Sequence, residues 1–94
     1  MKPETALRRR IHDMIKRQFP SAWIYHPAFI LQSGVPDFLI CYRGVFIGME
    51  IKTTIGVVSK LQFYVLDMIK EAGGIGCVVR SVAEAQKILL DIKR

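Results

Sequence analysis

Apolar residues near the start of the chain recur at the spacing of a helix. Most lie three or four positions apart and would share one helix face: Leu7, Ile11, Met14, Ile15 and Phe19. Pro3 is favoured in a first helical turn, and Pro20 would end the helix because it cannot continue the backbone hydrogen bonding. The pattern therefore predicts a first helix between these two prolines.

Runs rich in apolar, aromatic and β-branched residues then predict three strands. The first runs from Trp23 to His26, the second from Asp37 to Tyr42 and the third from Val45 to Lys52. Arg43-Gly44 separates the last two strands as a two-residue hairpin connection. These two strands should therefore pair antiparallel.

A second helix should begin after Ser59, which is a favourable N-cap, and end at Ala72-Gly73-Gly74. Its apolar stripe consists of Leu61, Val65, Leu66 and Ile69. A strand from Ile75 to Arg80 follows. Ser81 then caps a last helix and forms a capping box with Glu84. The residues of that helix expected to face inward are Val82, Ala85, Ile88 and Leu89.

The predicted element order is α-β-β-β-α-β-α. An antiparallel hairpin followed by a helical crossover to a further strand implies a mixed sheet with helices on its faces, which is an α/β fold. No repeat, linker or low-complexity segment divides the chain. We therefore expect a single domain over residues 1–94.

The hairpin connection fixes the strand register. Pairing Tyr42 with Val45 places Asp37 opposite Glu50 and gives the two faces of the hairpin opposite character. One face is wholly apolar and should cover the core: Phe38, Ile40, Tyr42, Val45, Ile47, Met49 and Ile51. The other face carries Asp37, Glu50 and Lys52 together at one end of the hairpin.

Two carboxylates on directly opposed residues repel each other and destabilise a sheet. A divalent cation between them removes the repulsion, because Mg²⁺ and Mn²⁺ prefer oxygen ligands. Lys52 on the same face could hold a water nucleophile or offset phosphate charge, and Gly48 should leave space for a substrate. Two alternatives stay open: a bulged three-residue turn that shifts the pairing by one, and exposed polar residues with no chemical role.

Charge favours an anionic partner, and an ordinary solvated helix face is the alternative for the basic first helix. The 94-residue chain has 14 Lys and Arg against 8 Asp and Glu, a net charge of +6, and many of these cations lie in the first helix. No run approaches the ~18 apolar residues of a membrane span, and no signal-peptide pattern opens the chain, so we expect a cytoplasmic protein. Cys41 and Cys77 lie in apolar runs and are expected to be buried thiols.

Two segments together resemble a known family. Gly34-Val35-Pro36-Asp37 followed by Glu50-Ile51-Lys52 resembles the PD-(D/E)XK nuclease signature. The following Thr53-Thr54-Ile55-Gly56 and Ser59-Lys60-Leu61-Gln62 make the resemblance closest to the compact virus-type replication-repair nuclease (VRR-NUC) branch. Val79-Arg80-Ser81 departs from the Val-Arg-Arg ending of that family. The resemblance implies a restriction-endonuclease-like fold.

The resemblance also implies residue roles. It implies a Mg²⁺ or Mn²⁺ site with three ligands, Asp37, Glu50 and the backbone carbonyl of Ile51. Lys52 would position the attacking water, Glu4 would reach the site through metal-bound water, and Gln62 would support Lys52 or the scissile phosphate. The residues alone leave a simpler alternative for two of these: Glu4 as a helix N-terminal acid and Gln62 as a solvent-facing residue.

The implied activity is metal-dependent hydrolysis of DNA. Small members of the family resemble nucleases that cut branched DNA, such as four-way junctions, as homodimers, and they are common on phages. The candidate phosphate contacts are Arg8, Arg9, Arg10, Lys16, Ser59, Lys60 and Arg80. His12 and His26 are expected to lie away from the site, and Trp23, Phe63 and Tyr64 to pack. The alternatives are a non-catalytic basic DNA-binding module and a scaffold or antitoxin-like partner protein.

Overall fold

The computed structural model describes residues 1–27 and 33–93. The predicted element order is confirmed, with strand ends that differ from the expected ones by a single residue. The elements are α1 (Pro3–Gln18), β1 (Trp23–Tyr25), β2 (Phe38–Tyr42), β3 (Val45–Ile51), α2 (Lys60–Glu71), β4 (Ile75–Val79) and α3 (Val82–Leu90). Within these described ranges, no helix is both long and apolar enough to cross a membrane.

The strands form a mixed four-stranded sheet in the order β1-β2-β3-β4. The first three are antiparallel neighbours, and β4 pairs parallel with β3 after the α2 crossover. Helices α1 and α3 contact each other and cover the apolar hairpin face, whereas α2 packs on β3 and β4. The core lies between the sheet and the α1–α3 pair, where Ile11, Ile15, Ile47 and Met49 are fully buried.

The predicted hairpin register is confirmed. Tyr42 pairs with Val45 and Phe38 pairs with Met49. Arg43 and Gly44 have φ values of 52° and 80°, the left-handed backbone of a type I′ turn. The two-residue turn excludes the bulged alternative and matches the twist of the strands.

The outer face of β1 and β2 is less covered than the sequence predicts. Cys41, expected to be a buried thiol, is exposed, and Trp23 is half exposed. The reason is that α2 covers β3 and β4, so none of the helices in the described ranges lies over the outward side chains of β1 and β2. Phe63 and Tyr64 are also exposed because they lie on the outward side of α2.

Two helix details also differ from expectation. Leu61 is 46% exposed and packs at the rim against Gly34 rather than in the core. Glu84 does not complete a capping box: Ser81 Oγ accepts from the Glu84 N–H, but Glu84 Oε1 accepts from the Arg80 N–H at 2.6 Å. The Glu84 carboxylate therefore accepts from the backbone N–H of Arg80, the residue after β4, and not from the backbone N–H of the N-cap Ser81.

Candidate active site

Asp37 and Glu50 lie side by side at one end of the hairpin, as the register predicts. Asp37 directly precedes β2, and its Oδ2 accepts a hydrogen bond from the Ile51 N–H at 2.8 Å. This bond ties the Asp37 carboxylate to the last residue of β3, next to Glu50. The like-charged pair therefore follows from the strand pairing itself.

Glu50 is a buried acid, with 4% of its surface exposed. Burial and, second to it, the neighbouring Asp37 charge raise the pKa of the Glu50 carboxyl to about 7. Lys52 acts in the opposite direction and lowers the pKa. The Lys52 Nζ lies 3.6 Å from Glu50 Oε2. A buried carboxyl with a shifted pKa beside a second acid and a lysine is typical of a functional site.

Gln62 also contacts the acidic pair, which removes the solvent-facing alternative. Its Nε2 donates to Glu50 Oε2 at 3.0 Å. Gln62 also completes a capping box, in which its side-chain Oε1 accepts from the Ser59 N–H at 2.9 Å and its backbone N–H donates to Ser59 Oγ at 3.1 Å. The start of α2 thus fixes the orientation of the amide that holds Glu50.

Arg8 and His26 hold Asp37 from the other side. Arg8 Nη1 lies 3.4 Å from Asp37 Oδ1, and His26 Nδ1 lies 2.6 Å from the Asp37 carbonyl oxygen. The expectation that His26 lies away from the site is wrong. Its position follows from the pairing of β1 with β2, in which Tyr25 lies opposite Leu39. No sequence pattern reveals that register, because no tight turn joins these two strands.

A cationic cleft of about 370 Å³ lies beside Asp37. Its lining residues are Thr5, Arg8, Arg9, His12, Asp13, His26 and Phe38. His12 contacts the neighbouring Asp13 at 3.4 Å. Both histidines therefore border the space next to the acidic pair.

The remaining predicted site residues are less closely connected. Glu4 lies in the first turn of α1, one turn before Arg8, and within the described ranges its side chain makes no hydrogen bond or ion pair. Arg9, Arg10 and Lys60 are exposed. Arg80, predicted to contact phosphate, donates from Nη1 to the carbonyls of Thr53 and Gly56, at 2.6 and 2.8 Å.

Gly48 does not leave substrate space. A Cβ there would lie 2.4 Å from Ile69 Cδ1 and 3.1 Å from Pro36 Cγ. The side chain of Ile69 from α2 fills that position, so the glycine permits close helix packing on β3. The expectation of an open face at Gly48 is therefore wrong.

The donor set suits a hard divalent cation better than zinc. In the part of the chain that the structure describes, no three His, Cys, Asp or Glu side chains form a cluster able to hold a metal. Two carboxylates on adjacent strands nevertheless match Mg²⁺, which keeps several water ligands and uses one or two protein carboxylates. Burial and the neighbouring Asp37 charge raise the pKa of Glu50 although Lys52 lies beside it, and a bound cation would favour the charged form of this carboxyl.

Comparison with known proteins supports the fold. No protein-family model matches the chain, and no curated protein matches it. A solved structure described as a VRR_NUC domain superposes with a TM-score of 0.72 at 21% sequence identity, over 92% of this chain and 97% of that one. The motif resemblance is therefore confirmed at the level of the fold, and the chain has the compact α/β fold of a VRR-NUC domain.

Proposed function

We propose that this chain is a divalent-cation-dependent nuclease that hydrolyses DNA phosphodiester bonds. The observation that carries the proposal is the gathering of Asp37, Glu50 and Lys52 at one end of the β2–β3 hairpin, with Glu50 buried. A buried carboxylate placed directly beside a second carboxylate is costly to keep for structural reasons alone. The VRR_NUC name of the structural neighbour supports the same reaction class.

The residues divide into ligands and positioning groups. Asp37, Glu50 and the Ile51 carbonyl would hold Mg²⁺ or Mn²⁺, which when bound would neutralise phosphate charge and acidify a coordinated water. Gln62 holds the Glu50 carboxylate in place. Lys52, the ammonium nearest the pair, orients the attacking water or offsets phosphate charge.

DNA is the polymer that the charge favours. The net charge is +6, and the exposed cations Arg9, Arg10 and Lys60 would contact phosphates on either side of the cut. Glu4, one turn before Arg8 on α1, is the candidate for a contact through metal-bound water. The proposed setting is the cytoplasm of a bacterial host or phage-infected cell.

The finer proposal is a homodimer that cuts branched DNA, such as a four-way junction. An apolar groove of about 290 Å³ supports self-association and lies at the end of β3 away from Glu50. It is lined by Phe46, Val65, Met68, Ile69, Ala72 and Gly74. Two sites related by a twofold axis would cut symmetric strands of a junction.

The test is cleavage of junction, flap, single-stranded and continuous duplex DNA in Mg²⁺ or Mn²⁺, with sedimentation giving the oligomeric state. We expect the wild-type protein to cut junctions most efficiently and Asp37→Asn to bind DNA without cutting it. Asparagine keeps an oxygen that can accept from the Ile51 N–H, so the fold is retained. Cleavage by Asp37→Asn at the wild-type rate would refute the assignment.

The two alternatives predict other results. A non-catalytic DNA-binding module would bind the same DNA and cut none of it in either metal. A scaffold or antitoxin-like protein would show no DNA binding and no rise in melting temperature with Mn²⁺, because a ligand that binds only the folded state stabilises it.

A further inference from the structure

The loop between β3 and α2 carries two very exposed apolar side chains. Ile55 is 88% exposed and Val57 is 83% exposed. Single exposed apolar residues are common on protein surfaces. Two of them on one short loop, beside the buried Glu50, would serve to contact a partner if the loop were held rigidly.

The loop is held rigidly. The Gly56 N–H donates to the Thr53 carbonyl at 3.1 Å and closes a turn over Thr54 and Ile55. The Arg80 guanidinium then donates to the carbonyls of both Thr53 and Gly56, at 2.6 and 2.8 Å. These hydrogen bonds therefore hold the turn from Thr53 to Gly56 in place and leave the Ile55 side chain exposed.

One end of this loop contacts Glu50, and the other end positions a residue of α2 that contacts it. Lys52 lies 3.6 Å from Glu50, and Ser59 forms the capping box that directs Gln62 onto the same carboxylate. A Cβ on Gly56 would lie only 3.3 Å from Lys52 Cβ and Cδ, so the turn packs directly on the Lys52 stem. The turn that carries Ile55 is thus connected to Glu50 through Lys52.

We propose that Ile55 and Val57 form an apolar wedge that packs against nucleobases at an unstacked step of DNA. The proposal rests on the proposed nuclease function and names its substrate class, DNA with unpaired or distorted base pairs near the cut. Proteins that open base steps commonly insert apolar side chains between them. Lys60, exposed at the start of α2 just after the loop, complements a phosphate beside such a step.

The dimensions agree with this role. Ile55 lies three residues beyond Lys52, so the two Cα atoms are at most about 11 Å apart. That distance corresponds to about three nucleotides along a strand. The wedge would therefore contact bases close to the scissile phosphate, where a branch point or mismatch exposes them.

The test compares Ile55→Ser/Val57→Ser with wild type and with Leu90→Ser, a control at a 56% exposed apolar residue at the end of α3. Dissociation constants are measured in EDTA for a duplex with a central bubble of mismatches and for a continuous duplex. We expect the double variant to bind the bubble about tenfold more weakly, since two buried apolar side chains contribute at least that much. Its affinity for the continuous duplex and its melting temperature should match those of the control.

A second readout follows base unstacking directly. A 2-aminopurine placed beside the bubble should change in fluorescence when the wild-type protein binds, and not when the double variant binds. Equal affinities of wild type and double variant for the bubble would overturn the wedge. The wedge would also be overturned if the double variant lost self-association or binding to lipid vesicles but still bound the bubble as the wild type does.

The readouts separate the wedge from catalysis. The binding measurements need no metal and no cleavage, so they report on Ile55 and Val57 even if the wild-type protein cuts no DNA. Failure of the nuclease proposal would appear as absent cleavage in Mg²⁺ and Mn²⁺. Failure of the wedge would appear as unchanged bubble binding in a protein that still cuts.

Discussion

At the scale of single residues, the site is defined by one buried carboxyl. Glu50 is held by Gln62 and Lys52, yet burial and the Asp37 charge still raise its pKa to about 7. The contacts therefore orient the carboxylate without fully stabilising its charge. A bound cation would provide what these contacts lack.

This pKa has a consequence for stability without metal. The Glu50 pKa is about 7 in the folded protein against 4.5 for an unperturbed glutamate, so the folded state binds a proton that the unfolded state releases. The contribution to stability is fully present below pH about 4.5 and is lost as the pH rises through about 7. In EDTA, we expect the unfolding free energy of the wild type to fall over this range relative to Glu50→Gln.

Glutamine is the matched control because it keeps the shape of the side chain and cannot ionise. All other titrating groups are shared, so the difference between the two unfolding free energies reports the ionisation of Glu50 together with its coupling to Asp37 and Lys52. Urea denaturation at several pH values measures it, with an expected change of a few kcal/mol at most. A difference that stays constant with pH would contradict the raised pKa.

The two cysteines should differ sharply in reactivity. Burial raises the pKa of the Cys77 thiol to about 12, and its Sγ lies 3.7 Å from the Gly48 carbonyl. At pH 8 only about one Cys77 in ten thousand would be a thiolate, which is the reactive form. Cys41 is exposed. Titration of the native protein with a disulfide reagent should modify Cys41 first, and Cys41→Ser should react only on unfolding.

At the scale of elements, Arg80 links β4 to the loop after β3. We expect Arg80→Gln to leave the Thr53 and Gly56 carbonyls without their donor and to destabilise the protein by about 1–3 kcal/mol. Exchange of the Gly56 N–H should also become faster, because the turn it closes is released. Denaturation and amide hydrogen exchange measure the two effects.

Arg9→Gln is the control for that substitution. Arg9 is an exposed arginine on α1, so its replacement should change stability by no more than about 0.5 kcal/mol. Equal effects of the two substitutions would show that Arg80 does not support the loop.

The place of the acidic pair could be predicted from the sequence because it follows from a single hairpin. Arg43-Gly44 fixes a two-residue turn, the turn fixes the register, and the register places Asp37 beside Glu50. These are local rules. The contact of His26 with Asp37 depends on the pairing of β1 with β2. These strands are separated by residues 26–37, so no two-residue turn sets their register and no local pattern predicts it.

Packing of helices on the sheet explains the remaining errors. The sequence indicates that helices cover the sheet but not which strands each helix covers. Because α2 lies over β3 and β4, Ile69 fills the space at Gly48, whereas Cys41 on β2 stays exposed. The position of a crossover helix depends on the whole sheet, so residue patterns along single strands could not reveal these outcomes.

At the scale of the whole molecule, the fold is shared far more than the sequence is. The VRR_NUC structure superposes over 92% of this chain although only 21% of the aligned residues are identical. The fold therefore requires few specific residues, and the proposed chemistry rests on a small group at one end of the hairpin. The proposed function therefore depends on the behaviour of Asp37, Glu50 and Lys52.

The most direct test of the central claim is anomalous diffraction from crystals grown with Mn²⁺. The account predicts an anomalous peak between the carboxylates of Asp37 and Glu50, within coordination distance of both, that is absent in crystals of Asp37→Asn. Carboxylates that point apart in wild-type crystals, with no anomalous peak near them, would contradict it.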